Sequence, residues 1–432
     1  MVRPIGGGVA STGESHRVTT LELFFDLVFV FAITQVTAMM AADPSALGAL
    51  RGLVVLALLW WAWCSYAWLG NQARADEGPL RVSVVVAMGG LFVVALAIPE
   101  TFSDRAGGLV APVAFALAYA LVRMVHLGVY YVAAAGDAGL RRTLRATAVP
   151  VSVAGAVLVA GAVAGPPYQL GLWLGALAID YVGVYASGTS GWRVQSAAHF
   201  AERHGLIVIV ALGESIVAVG AGVTGLPLSV PVVVAAALGL LVSLALWWLY
   251  FDVVALVAER ALAAKQGPER TRQARDSYTY LHFPMVLGIV YLSLGLKKVL
   301  GYVGDSEHHD LGDALTGVPL WAMYGGVATY LLAHVAFRWR NIHTLNVHRF
   351  VAVAALLALA PVAAALPALA ALAILAAVRV LLVAYDVVRF ADARYNVRRG
   401  EHRSVVSAPV PEQAIRDVAM DGDPDREVES PR

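Results

Sequence analysis

Glu22 and Asp26 stand four residues apart in an otherwise apolar stretch, Leu21-Glu-Leu-Phe-Phe-Asp-Leu-Val-Phe. On a helix that spacing puts both carboxylates on one side. Tyr119, Arg123, His126 and Tyr130 follow at i, i+4, i+7 and i+11, a polar stripe down one face. Asp180, Glu214, Arg379 and Asp386 stand in comparably apolar surroundings, and Glu202 leads into one such run. A charge in hydrocarbon costs about 2.5–3.5 kcal/mol on insertion scales, so these side chains face a protein interior or water. Two chemistries follow: an ion or solute pathway, or fixed ion pairs that set helix register. Glu214 lies in Ala211-Leu-Gly-Glu-Ser215, where Gly213 permits close helix approach and Ser215 can bond across helices. A lone carboxylate there suits proton carrying or cation contact, and equally interhelical bonding.

Depth sorts these residues further. At 1.5 Å per residue, Asp26 lies about 9 Å from one end of its run, Asp180 and His126 about 12 Å, and Arg123 about 16 Å. The four are expected at compatible depths, able to form one cluster. Arg123 stays charged, and both ends of its run are more than ten residues away, so it needs a carboxylate partner. Asp180 is the first choice and Asp26 the second.

Other chemistries find little support. Gly188-Thr-Ser-Gly191 lacks the strand-to-helix turn of a nucleophile elbow. Asp305, Glu307, His308, His309, Asp310 and Asp313 read as a solvated loop rather than a metal centre. The single cysteine, Cys64, excludes an internal disulfide and a Cys-ligated zinc site. No catalytic residue, metal or cofactor is expected. A net charge of +1 gives no reason to expect a nucleic acid partner.

The elements that must position these residues are membrane helices. Apolar residues make up 59% of the 432 and charged residues 14%, against about 45–50% and 25% in soluble domains. Twelve runs are long and apolar enough to cross a bilayer: 20–41, 47–69, 80–99, 109–134, 146–165, 167–188, 203–222, 227–257, 279–300, 318–337, 347–365 and 367–390. Lys plus Arg number 22 in the segments on the N-terminal side of this alternation and 4 in the others. The positive-inside rule then gives N-in and C-in. Residues 1–19 form a cytoplasmic segment, 20–188 and 189–395 two six-helix halves, and 396–432 an acidic, proline-bearing tail read as disordered. The expected fold is an all-α polytopic membrane protein of the cell inner (plasma) membrane.

The halves can be laid over one another. Glu22-Leu-Phe-Phe aligns with Glu202-Arg-His-Gly, Leu59-Trp-Trp61 with Leu246-Trp-Trp248, and Met88-Gly-Gly lies near Met285-Val-Leu-Gly288. Six passes per half make the repeat parallel, about an axis along the membrane normal, with a site between the halves.

Three stretches carry a resemblance: Leu21-Glu-Leu-Phe-Phe-Asp-Leu-Val-Phe-Val-Phe-Ala-Ile-Thr-Gln35, then His199-Phe-Ala-Glu-Arg-His-Gly-Leu206 with Ala211-Leu-Gly-Glu-Ser-Ile216, and Tyr280-Leu-His-Phe-Pro284. Over about residues 17–395 the chain resembles the bacterial low temperature requirement A family. The resemblance implies a multi-pass membrane protein named for growth in the cold and no known substrate. Its motif residues fall on Glu22, Phe25, Asp26, Gln35, His199, Glu202, Arg203 and Glu214. The first run also resembles the Phe-Ser-Asp motif of an endolysosomal potassium-channel family, with Phe25 in place of Ser. The leading expectation is a transporter or channel-like protein for an unknown small solute or ion, in contact with membrane lipid. The alternatives are a membrane enzyme acting on a lipid through His199, Glu202 and His204, and a non-catalytic stress-response protein.

Overall fold

The computed structural model describes residues 4–5, 9–10, 16–74, 76–105, 107–188, 191–391 and 394–395. The expected tail, 396–432, and much of segment 1–19 lie outside them. Apart from an antiparallel pair of two-residue strands, β1 (Pro4–Ile5) and β2 (Val9–Ala10), the described residues form helices and their connections. The first half holds α1 (Thr20–Ala42), α2 (Ala46–Gln72), α3 (Gly78–Ala97), α4 (Ala111–Ala133), α5 (Ala138–Ala164) and α6 (Tyr168–Ala186). The second holds α7 (Ala197–Gly222), α8 (Val230–Phe251), α9 (Val254–Ala263), α10 (Gly267–Gln273), α11 (His282–Gly304), α12 (Gly317–Ile342), α13 (Val347–Ala363) and α14 (Ala368–Arg389). A π-helical stretch, Ala274–Tyr280, joins α10 to α11. The chain divides into two compact units, Met1–Tyr385 and Asp386–Arg432. Both halves up to Tyr385 lie in the first.

Among the described residues, eleven helical stretches are long and apolar enough to cross a membrane, counting α8 with α9 and α10 with α11 as one each. The expected run 347–365 is the exception. Its helix, α13, has 17 residues, carries Pro361 inside its last turn, and is about 26 Å long at 1.5 Å per residue. Its course is nonetheless fixed at both ends. The Ala368 N–H donates to the Asp313 carbonyl at 2.8 Å, and Ala314 pairs with Pro367. The end of α13 therefore lies beside the start of α12, so the chain travels back along α12 before α14 begins.

Local sequence explains where the helices that matter begin. Thr19 and Glu22 form a capping box at the start of α1. Ser196 accepts the His199 N–H at 3.1 Å and starts α7. Close approach of α11 and α12 depends on Gly288: a Cβ there would meet the Gly326 carbonyl oxygen at 2.5 Å.

Six of the seven segments read as lying on one side are tied together at one end of the bundle. The Ser196 hydroxyl donates to the His16 carbonyl (3.2 Å) and the Asn71 amide to the Ser196 carbonyl (2.7 Å). Arg193 pairs with Asp137 (3.5 Å), Thr271 donates to the Trp192 carbonyl (3.1 Å), and Arg340 pairs with Asp276 (3.0 Å). At the opposite end Gln169 donates to the Thr101 carbonyl (2.7 Å), and Arg51 contacts Asp43 and the Phe102 ring.

Cysteine labelling tests which end faces the cytoplasm. Gly165 and Gly225 are expected outside and Gly267, Asn341 and the tail inside, but Asn341 is buried against Gln273. The exposed Glu269 and Glu307 are better sites, and Cys64 is buried. In intact cells Glu307→Cys reacts with an impermeant maleimide and Glu269→Cys reacts only after lysis. The reverse pattern would invert the orientation.

Candidate functional site

The α1–α7 seam gathers four of the buried charged residues, Glu22, Asp26, Arg203 and Glu214. Glu22 meets His199, Asp26 meets Arg203 and Thr34 meets Glu214, with partners 177, 177 and 180 positions apart. A near-constant offset requires the two helices to run parallel. A pair of carboxylates at i, i+4 thus faces a pair of nitrogen bases at i, i+4, one turn above another.

Most polar atoms in the lower two turns are assigned, Arg203 Nε being the exception. Glu22 Oε2 accepts from the Thr19 N–H (2.9 Å) and hydroxyl (3.0 Å), which leaves Oε1 for His199 Nε2 at 3.0 Å. Arg203 Nη1 donates to Asp26 Oδ2 (2.7 Å) and to the Glu22 carbonyl (3.0 Å). Trp63 Nε1 donates to Asp26 Oδ1 (2.8 Å), and its ring lies under the guanidinium at 5.4 Å. Glu22, Asp26, His199 and Arg203 are all under 5% exposed. Gly70 on α2 makes room for them: a Cβ there would stand 2.4 Å from Glu22 Oε1.

The hydrogen bonds also locate the imidazole proton. Asn71 Oδ1 accepts from the Gln195 N–H (2.8 Å), so Asn71 turns its Nδ2 donors to the Ser196 carbonyl (2.7 Å) and to His199 Nδ1 (3.2 Å). Nδ1 is therefore the acceptor, and Nε2 carries the hydrogen given to Glu22. His16, Glu22 and His199 offer ligand atoms within 4.8 Å of one another. A metal at His199 Nε2 would drive the proton to Nδ1, against the Asn71 amide. The arrangement suits a proton at this position, not a metal ion. His16, outside the membrane helices, has its imidazole held below the usual range by burial and by neighbouring His199.

A second centre lies in the first half. Arg123 Nη2 on α4 is 3.0 Å from both oxygens of Asp180 on α6, and Nη1 donates to the Ser65 hydroxyl on α2. Arg123 lines two cavities. One, about 70 Å³, lies among α2, α4, α5, α6 and the stretch through Tyr280. The other, about 580 Å³, opens between α4, α5 and α6 and has Asp180 and Tyr119 in its wall.

The sequence-derived residues divide accordingly. Arg123 takes Asp180, the partner first expected from depth. The single cluster of Asp26, Arg123, His126 and Asp180 does not form: Asp26 turns to α7, because depth along a helix leaves its direction around the axis open. His126 is buried in the wall of the smaller cavity, both ring nitrogens without a partner. Glu214 bonds Thr34 at 2.5 Å, while Ser215 and Ser243 join α7 to α8 at 2.7 Å. Glu202 sits at the solvated edge, 3.9 Å from Arg17. Arg379 is fully buried in α14, and Asp386 opens the second compact unit. His199 and Arg203 were reached in the sequence only through the family motif and the enzyme alternative. The charges of Glu202-Arg-His204 depress local hydropathy, so the apolar run reads as starting at 203, whereas α7 starts at Ala197. The Ser196 cap and the i, i+4 spacing of His199 and Arg203 were the available signals.

Comparison with known proteins agrees with this architecture. Residues 17–384 match the family model described as bacterial low temperature requirement A protein, and the chain belongs to that family. It is 27% identical over 323 residues to an uncharacterized protein of Rhizobium meliloti (strain 1021), covering 72% of this chain and 76% of the other. No solved structure matches it. The chain is a multi-pass membrane protein.

Stranding one member of a buried pair costs about 3–5 kcal/mol. Arg123→Leu and Asp180→Leu should each lower the detergent melting temperature sharply, and the double variant should recover much of the loss. Losses that merely add would dissolve the pair. Gly70→Ala should destabilise by about 1–3 kcal/mol through overpacking, and a melt unchanged by that methyl would contradict the close approach of α2 to Glu22.

Proposed function

We propose that this family member is a permeation protein, a transporter or channel, that moves a small solute or ion across the cell inner membrane and supports growth in the cold. The carrying observation is the Arg123–Asp180 pair, buried between two cavities with Arg123 in the wall of both. If register alone were needed, packed apolar side chains would serve as well or better. A polar barrier between two spaces is what an ion or solute pathway requires.

Glu214 supports proton handling in the same molecule. The Thr34 hydroxyl has one hydrogen and two acceptors in reach, Val30 O at 3.0 Å and Glu214 Oε2 at 2.5 Å. With a proton on Glu214, the carboxyl donates to Thr34 and Thr34 donates to Val30. Without it, the hydroxyl turns to Glu214. Such a two-state hydrogen bond suits a coupling site. The parallel two-half plan has support from neighbour order, while N-in and C-in rest on the Lys and Arg bias. α1 packs with α2 and α3, α3 with α4 and α4 with α5; α7 packs with α8 and α11, α11 with α12 and α12 with α13. The reading involves no turnover: both nitrogens of His199 are engaged, which leaves it no free lone pair for a base.

Proteoliposomes loaded with a panel of ions and metabolites test this. The wild-type chain should pass at least one panel member faster than empty vesicles. Glu214→Gln should remove any dependence of that flux on a proton gradient. Asp180→Asn, which leaves the guanidinium unmatched, should change the rate about tenfold or more. Monodisperse protein that passes nothing, together with Glu214→Gln and Asp180→Asn variants that fully rescue growth in the cold, would reject the proposal.

A further inference from the structure

We infer that the cavity walled by Arg123 and His126 is a binding site for a small organic anion with a flat apolar body, of the aromatic carboxylate class. The inference deepens the permeation reading and rests on it only for the step of transport, not for binding.

Lining comes first. Small-molecule sites are mostly apolar, with a few convergent polar groups. This cavity, walled by Trp61, Trp68, Leu127, Leu144 and Tyr280 beside Arg123, is of that kind. Its walls are flat aromatic faces. Trp61 stacks on Tyr181 at 3.9 Å, Trp68 stands edge-on to Trp192 at 5.3 Å, and Tyr280 meets Tyr185 at 6.2 Å.

Charge comes second. Arg123, Arg275 and His126 line the cavity, and among the described residues no Asp or Glu does. Arg275 lies over the Tyr185 ring at 4.4 Å. Its acidic neighbour, Asp276, is shared with Arg340, so one positive charge remains in excess at that edge.

Unmatched hydrogen-bond groups come third. The indole N–H groups of Trp60 and Trp68 are both taken by Thr279, at 2.9 Å each, in the π-helical stretch. Those of Trp61 and Trp192 are buried without a partner, as are Arg123 Nε and both nitrogens of His126. A neutral imidazole has one donor and one acceptor. With the Thr147 hydroxyl, also in this wall and unmatched, the unmatched atoms offer five hydrogens against three lone pairs. Such a wall favours a ligand rich in acceptors. A carboxylate can take two or more of these hydrogens while its ring lies on the indole faces. A cation finds no carboxylate in the wall to meet it. A carboxylate reaching Arg123 would also compete with Asp180 for the guanidinium, so occupancy and the barrier are coupled.

The test is a titration of the full-length chain in detergent, followed by calorimetry and tryptophan fluorescence. The probes are benzoate and 2-naphthoate, the matching neutral amides, and benzylamine. The carboxylates should bind and raise the melting temperature. The amides should bind about tenfold or more weakly, the worth of one charge-assisted hydrogen bond, and benzylamine should not bind. His126→Phe keeps the ring and removes both nitrogens, and Trp61→Phe removes one donor. Each should weaken carboxylate binding about tenfold, with a cooperative melt retained. No carboxylate binding to cooperatively folded wild-type protein would overturn the inference. So would equal affinity for the acid, amide and amine, or unchanged affinity in both variants. Carboxylate binding without carboxylate flux in proteoliposomes would keep the site and count against permeation; flux of other solutes without carboxylate binding would do the opposite.

Discussion

Two helices that start the two halves share a buried seam, and that seam carries a heavy electrostatic obligation. Glu22 and Asp26 on α1 cannot stay ionised in hydrocarbon, and Arg203 on α7 cannot lose its charge. Only the parallel pairing of α1 with α7 satisfies all three, with His199 as a hydrogen-bond donor. The surrounding sequence serves that pairing. Thr19 caps α1 with the Glu22 side chain, Gly70 clears space for it, Trp63 takes the second Asp26 oxygen and Asn71 fixes the imidazole tautomer. α2 thus provides three of the four supports and so is tied to both halves.

The Arg123–Asp180 centre differs in kind. It joins helices of one half, and cavities lie on two sides of it. The seam is enclosed and nearly saturated with hydrogen bonds, whereas the wall around His126 has donors to spare. The first arrangement holds a structure together. The second invites a visitor, and this contrast separates scaffold from pathway within one set of buried charges.

Much of this was legible in the sequence for a simple reason. Hydropathy and the rise per residue act along one dimension, so the helix runs and the depth match between Arg123 and Asp180 could be read directly. Direction around the helix axis and contacts between distant helices are not one-dimensional. Asp26 has the depth to reach Arg123, yet it points to Arg203. His199 and Arg203 lie in a polar first turn that lowers the apolar signal of α7. The π-helical stretch at Ala274–Tyr280, which holds two indoles, comes from one extra residue per turn that no hydropathy pattern marks. α13 stops two residues before the end of its apolar run, 347–365, because Pro361 and the turn before Pro367 are as apolar as the helix itself.

The 177-residue separation of seam partners also has a dimension of time. A ribosome adds about 5–20 residues per second. The carboxylates of α1 are therefore made about 9–35 seconds before the bases of α7. Through that interval α1 has no guanidinium to meet, and the five helices that follow it are made in the meantime. Trp63 and the Thr19 cap, both close in sequence, are the donors at hand for Asp26 and Glu22 while α7 is awaited. The first helix of the chain thus stays electrically incomplete until the second half begins to be made.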